Sequence, residues 1–143
     1  MPEFKQPESV LVVIHTLSLD VLLIERVSHT GYWQSVTGSR EGAEPLITCA
    51  RREVAEETGI VADISDFMDW HLSNRFEIFV EWRHRYAPGI THNTEHVFSL
   101  CLDEPQAVTL AANEHRSWRW VPQHQAAAEC FSWTNRDAIL MLG

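Results

Sequence analysis

Two periods of apolar residues run through this chain, and they predict its elements. Residues 10–15 form a continuous apolar run, the pattern of a strand buried on both faces. A polar break at residues 18–20 leads to a second run, residues 21–24, closed by Arg26, which predicts a hairpin. Residues 32–37, YWQSVT, are a short β-prone segment. From Leu46 the period changes. Leu46, Ile47, Ala50 and Val54 recur at helical spacing and mark one buried stripe. Pro45 suits a first helical position and Gly59 the left-handed residue after a last turn, so one helix is expected between them.

The alternation returns downstream. Residues 60–64 are expected as a strand, and residues 75–85 as another, with Phe76, Ile78, Val80 and Trp82 on one face. A basic-aromatic segment ending in Pro88-Gly89 closes it as a turn. Residues 94–102 are a further strand, followed by a polar loop with Glu114 and His115, and residues 118–121 a last strand stopped by Pro122. Residues 123–130 are Ala-rich and helical in propensity, and Ser132 or Thr134 can cap a final helix through residues 139–142. The sum is one domain over residues 1–143, mixed strands and a few helices with an acidic helix laid on a sheet.

Composition narrows the function classes. A net charge of −9 argues against nonspecific nucleic-acid binding. No stretch reaches the roughly 18 apolar residues of a membrane span. Residues 1–9 have no apolar run behind a basic segment, so no signal peptide is expected. The three cysteines are scattered without C-x-x-C spacing, the pattern of reduced thiols in a cytoplasmic protein. The eight histidines form no local zinc pattern.

The chemistry concentrates on the predicted helix. Glu44, Glu53, Glu56 and Glu57 lie on or beside it. At about 100° per residue, Glu53 and Glu57 fall on or inside the apolar stripe, and Glu57 projects between Leu46 and Ala50. A carboxylate there loses hydration and needs compensating positive charge. Arg52 can reach Glu56 at i+4 but is expected to point away from Glu53 and Glu57. A divalent cation suits those two better, because hard cations want clustered carboxylate oxygens. Gly38 and Gly42 are expected to bracket a tight turn whose backbone can approach a phosphate.

Gly38, five residues, Glu44, seven residues, then Arg52-Glu53-Val54-Ala55-Glu56-Glu57-Thr58-Gly59-Ile60 resembles a complete Nudix box. The resemblance implies the Nudix α/β/α sandwich with a mixed β-sheet. It also implies a hydrolase that uses Mg²⁺, or Mn²⁺ in its place, on a diphosphate linked to another group. Glu53, Glu56 and Glu57 are then the catalytic glutamates, with Glu56 either assisting the metal or pairing with Arg52.

Segments outside the box resemble one Nudix subfamily, the bacterial enzymes of folate biosynthesis that hydrolyse dihydroneopterin triphosphate. They are residues 32–39, residues 76–79, residues 83–89, Asn93-Thr94-Glu95, Ser132-Trp133 and Asn135-Arg136. That resemblance implies metal ligands at Glu53, Glu57 and Glu114. It implies substrate contacts at Lys5, Arg26, Thr37, Phe76, Glu77, Ile78, Phe79 and Ser132, with Glu77 facing the amino-pyrimidinone edge of the pterin. A small-molecule triphosphate is the expected partner, acted on by a cytoplasmic monomer. Hydrolysis of damaged nucleoside triphosphates or nucleotide sugars is the alternative, and nucleotide binding without catalysis a third reading.

Overall fold

The computed structural model describes residues 3–143. In chain order the strands are β1 (Glu8–Thr16), β2 (Asp20–Arg26), β3 (Trp33–Gln34), β4 (Val36–Ser39), β5 (Phe67–Glu77), β6 (His92–Leu102) and β7 (His115–Pro122). The helices are α1 (Leu46–Thr58), α2 (Gln123–Glu129) and α3 (Trp133–Leu140).

All strands belong to one seven-stranded mixed sheet whose main order is β3-β2-β1-β6-β5, with β7 on β2 and β4 on β1. The centre is β1, parallel to β6 from Glu8↔Thr94 to Thr16↔Leu102. On its other side β1 is shared. Its first half pairs antiparallel with β4, Ser9↔Ser39 to Val12↔Val36, and only His15↔Val21 joins it to β2. The sheet therefore splays between β4 and the β2–β3 pair.

The continuous apolar run of β1 serves two cores, as a strand covered on both faces must. Val10, Val12 and Ile14 pack with Leu22, Ile24, Val36, Phe98 and Leu100 against Ala50 and Val54 of α1. Leu11 and Val13 pack with Val97, Leu23 and Val121 against Ala126, Ala127, Ala138 and Ile139 of α2 and α3. Each such fully buried aliphatic side chain contributes about 1.5–3 kcal/mol. The result is the expected α/β/α sandwich: α1 on one face, α2 and α3 on the other.

One expected strand is absent and another is displaced. Residues 60–64 are irregular and lead into a 3₁₀ turn, Ile64–Asp66. Their apolar residues instead close α1: Thr58 donates its hydroxyl to the Val54 carbonyl at 2.6 Å and accepts from the Ile60 N–H at 3.1 Å, while Gly59 takes φ +75°. The alternating stretch 75–85 is strand only as far as Glu77; Val80–Arg85 is a 3₁₀ helix. The strand extends backward instead, to Phe67, with Trp70 and Leu72 half-buried on the α2/α3 core and polar residues between and after them. It pairs with β6 on one edge only, with a register shift between Asp69 and Ser73 and His71 at φ +51°. An edge strand tolerates polar residues and bulges, so its pattern is weak. Pro45 is the cap of α1 rather than its first residue.

Candidate functional site

Gly38 is opposite Val10, whose side chain faces α1, so the bare Cα of Gly38 also faces α1. A Cβ at this position would overlap the Glu53 carboxyl. The glycine serves the close approach of a side chain, and its φ lies outside the left-handed region, which Gly42 occupies at +54°. The expected tight turn sits at residues 41–44 around Gly42, closed by the Glu44 N–H on the Glu41 carbonyl at 3.2 Å, while Gly38 lies in β4 and answers a packing requirement.

Arg52 is a hub, contrary to the expectation that it points away from Glu53. Its guanidinium lies 2.9 Å from Glu53 Oε1, 2.7 Å from Glu44 Oε1, 3.3 Å from Glu41 Oε1 and 3.2 Å from Glu56 Oε2. It also donates to the Ser39 carbonyl at 3.0 Å. A long side chain swings back over the 39–44 loop and spans the 100° between adjacent helix positions. The bonds from Arg52, opposed by burial, hold the Glu44 carboxyl at about 2. Glu56 is exposed and meets only this hub.

Glu57, one turn beyond Glu53, is 1% exposed, and among the described residues its carboxyl oxygens meet no N–H or hydroxyl donor and face the Glu53 carboxyl instead. Burial first, then the adjacent Glu53, push its pKa well above the ordinary carboxylate range. His115, 4% exposed, places Nδ1 3.7 Å from Glu57 Oε1, too far for a hydrogen bond. Burial and then Arg26 lower its pKa to about 4, so the imidazole is neutral at pH 7. The donor atoms of Glu57, Glu114 and His115 lie within 4.8 Å of one another, with Glu114 exposed at the rim. Carboxylate and neutral imidazole donors with unmade bonds fit a divalent cation. Of the metal set expected from sequence, Glu57 and Glu114 share this cluster and Glu53 sits beside it against Gly38. His115 is the addition. It enters by the pairing of β7 with β2, opposite Arg26, and no local spacing marks it.

The two expected phosphate-binding cations lie close by. Lys5 is solvent-accessible, yet burial among its neighbours and then Arg85 lower its pKa, while Glu53 and Glu114 raise it. The Arg26 guanidinium stacks 4.7 Å from the Trp82 ring and donates to Gln34 Oε1 at 3.2 Å. Thr37 accepts from Gln34 Nε2 at 3.2 Å.

Trp82 belongs to an aromatic wall that sequence reasoning did not assemble. Tyr32 and Phe131 stack at 4.7 Å, Phe79 and Trp82 lie 4.9 Å apart, and Trp82 meets Phe131 edge-on at 6.4 Å. Phe79 is 44% exposed and Ile78 is buried. Phe76 is half-buried opposite Asn93, and Ser132 caps α3. Glu77 is opposite His92, so it projects from the other face of β5, exposed and paired with Arg83 at 3.2 Å.

A family model described as the NUDIX domain matches residues 5–142. The dihydroneopterin triphosphate diphosphatase of Escherichia coli is 43% identical over 139 residues, 95% of this chain and 91% of the relative. The protein of the same name from Haemophilus influenzae is 39% identical over 144 residues, 97% of this chain and 89% of the relative. The solved structure of the E. coli dihydroneopterin triphosphate pyrophosphohydrolase superposes with a TM-score of 0.87 at 41% identity, covering 95% of this chain and 94% of that one.

Proposed function

The chain belongs to the Nudix family of hydrolases, and from that premise we propose that it hydrolyses 7,8-dihydroneopterin 3′-triphosphate to dihydroneopterin monophosphate and pyrophosphate, a step of folate biosynthesis. The observation that carries this reading is the 43% identity to the E. coli enzyme across nearly both full lengths. Water adds to the phosphorus that bears the pterin-linked oxygen, and the bond to the bridging oxygen breaks to release pyrophosphate.

Nudix hydrolases use divalent metals, and the ion proposed here is Mg²⁺, held by Glu57 and Glu114 with Glu53 alongside and His115 completing the donor set. When bound, the metal neutralises phosphate charge and lowers the pKa of water. The protein contributes position. Gly38 lets Glu53 lie flat on the β4 backbone, and Arg52 fixes the Glu53 carboxyl from the other side. Glu56 acts through that hub. Lys5 and Arg26 meet the phosphate chain, a task an acidic protein must assign to few cations. Thr37 and Ser132 offer hydroxyls, while Phe76, Ile78 and Phe79 with Trp82 present apolar surface to a flat ring.

The test is a panel of dihydroneopterin triphosphate, GTP, ATP and a nucleotide sugar, each with Mg²⁺, read for pyrophosphate against phosphate. The expected result is the highest kcat/KM for the pterin, with pyrophosphate as product. A purine nucleotide preferred by tenfold, or orthophosphate as the product, overturns it.

A further inference from the structure

The face of the sheet away from α1 carries a polar floor at the start of β1 and β6. Leu11 and Val97 of this face are core, but the preceding residues on it, Ser9, Asn93 and Glu95, are polar and nearly as buried. Register places them together: Ser9 is opposite Glu95, Asn74 of β5 is opposite Glu95 from the other side, and Phe76 is opposite Asn93. Asn93 donates to Ser9 Oγ at 2.7 Å, yet Asn93 Oδ1 and Glu95 Oε1 have no partner. Each buried polar atom left unpaired costs about 1–3 kcal/mol. Glu95 is only 4% exposed, and burial raises its pKa to about 7 against a hydrogen bond from Thr134.

A run of polar side chains leads toward Glu95 from the other end of this face. The Ser35 N–H donates to Asn135 Oδ1 at 2.8 Å, which turns the Asn135 amide nitrogen toward Ser132 Oγ, 2.7 Å away. Ser132 Oγ shares a hydrogen bond with Thr134 Oγ1 at 3.3 Å, and the Thr134 hydroxyl is the polar group that acts on Glu95. Among the described residues Glu95 Oε1 is left without a partner. Phe131 of the aromatic wall directly precedes Ser132, so the wall and this carboxylate are joined through one short segment.

We propose that Glu95 is the specificity-determining residue for the ring, its carboxylate accepting the adjacent ring N–H and exocyclic amino N–H of an amino-pyrimidinone. This inference rests on the substrate reading above and assigns the ring edge to Glu95 in place of Glu77. Two parallel donors match a carboxylate's two oxygens, and the charge strengthens both bonds. Guanine shares this edge; adenine does not. The half-buried Phe76 brings this end of the face to solvent, where a flat ring can enter.

The test compares kcat/KM for dihydroneopterin triphosphate, GTP and ATP in wild type, Glu95→Gln and Glu77→Gln, together with metal-free binding of neopterin followed by its fluorescence. In Glu95→Gln the preference for the pterin over ATP, and for GTP over ATP, falls by roughly 100-fold, because the amide turns a donor toward a donor. Neopterin binding weakens with it, and Glu77→Gln keeps the preference within about threefold. Thr134→Val, which leaves Glu95 in place without its donor, lowers the same ratio and serves if Glu95→Gln does not fold. A Glu95→Gln or Thr134→Val protein that loses all three substrates equally, or none, overturns the inference, as does a collapse seen in Glu77→Gln alone. A wild type that prefers ATP overturns the substrate reading itself, and this inference with it.

Discussion

The two faces of the sheet bury carboxyl groups by different means. On the α1 face, Glu53, Glu57 and Glu44 crowd one helix and the loop before it, and Arg52 compensates only part of that charge. Among the described residues Glu57 meets no N–H or hydroxyl donor: its oxygens are buried against the Glu53 carboxyl beside a neutral His115. On the α3 face a single carboxyl, Glu95, sits at the end of a run of hydroxyls and an amide. The first arrangement suits a partner that brings positive charge, and the second a neutral partner that brings N–H groups. On the proposed reading, electrostatics divides one ligand between these two ends.

The largest expected effect breaks the α1 face. Glu57→Gln lowers kcat by roughly 10³-fold in a pyrophosphate-release assay, since activation of water and charge neutralisation fail together. The same variant melts no lower than wild type in metal-free buffer, because a buried repelled carboxyl becomes neutral. A Glu57→Gln protein with near wild-type turnover at saturating Mg²⁺ removes Glu57 from the site.

Next is the cradle. Gly38→Ala drives the Glu53 carboxyl off its seat and costs roughly 10²-fold in kcat/KM, the scale of a 1 Å misplacement. Equal losses of stability and activity, measured by urea unfolding beside turnover, would mean the glycine is needed only for folding.

Arg52→Met tests the compensation and destabilises by about 2–3 kcal/mol in urea unfolding. Its pH signature follows from Glu44, whose folded pKa, about 2, lies below the ordinary 4.5. The stability Glu44 contributes is present above 4.5 and is lost as pH falls toward 2. The difference between wild type and Arg52→Met therefore shrinks through that window; a constant difference would leave Glu44 out of the hub.

The last effect has the opposite slope. Glu95 has a folded pKa of about 7, above the ordinary 4.5. Its contribution is fully present below 4.5 and is lost as pH rises through 7, a change on the order of 3 kcal/mol. Glu95→Gln flattens the stability profile between pH 4.5 and 7 relative to wild type. An unchanged profile would show that Glu95 ionises at no cost and would remove the electrostatic contrast between the faces.

How legible each face was follows from what carries its signal. The α1 face is mostly local. Glu53, Glu57, Gly59 and the stripe at Ala50 and Val54 lie within one helix, where 100° per residue converts spacing into geometry. That reasoning placed Glu57 inside the buried stripe, and it is buried there. It failed for Arg52, because a long side chain is not confined to the face its Cα occupies. The same local reading extended alternation past Glu77 into a 3₁₀ helix, and it caught only the last three residues of the edge strand β5.

From the sequence alone came the central buried strand, the acidic helix with its Gly59 cap, and a mixed sheet, because apolar period and helix-end chemistry are properties of neighbouring residues. Tertiary structure decided the rest. His115 joins Glu57 across 58 positions only because β7 pairs with β2, and Glu95 neighbours Thr134 only because α3 packs on that face of the sheet. Gly38 is required by a carboxyl from another element. Burial, and with it the shifted proton affinities of Glu57, His115 and Glu95, depends on what the sheet and helices enclose, and no run of adjacent residues encodes that.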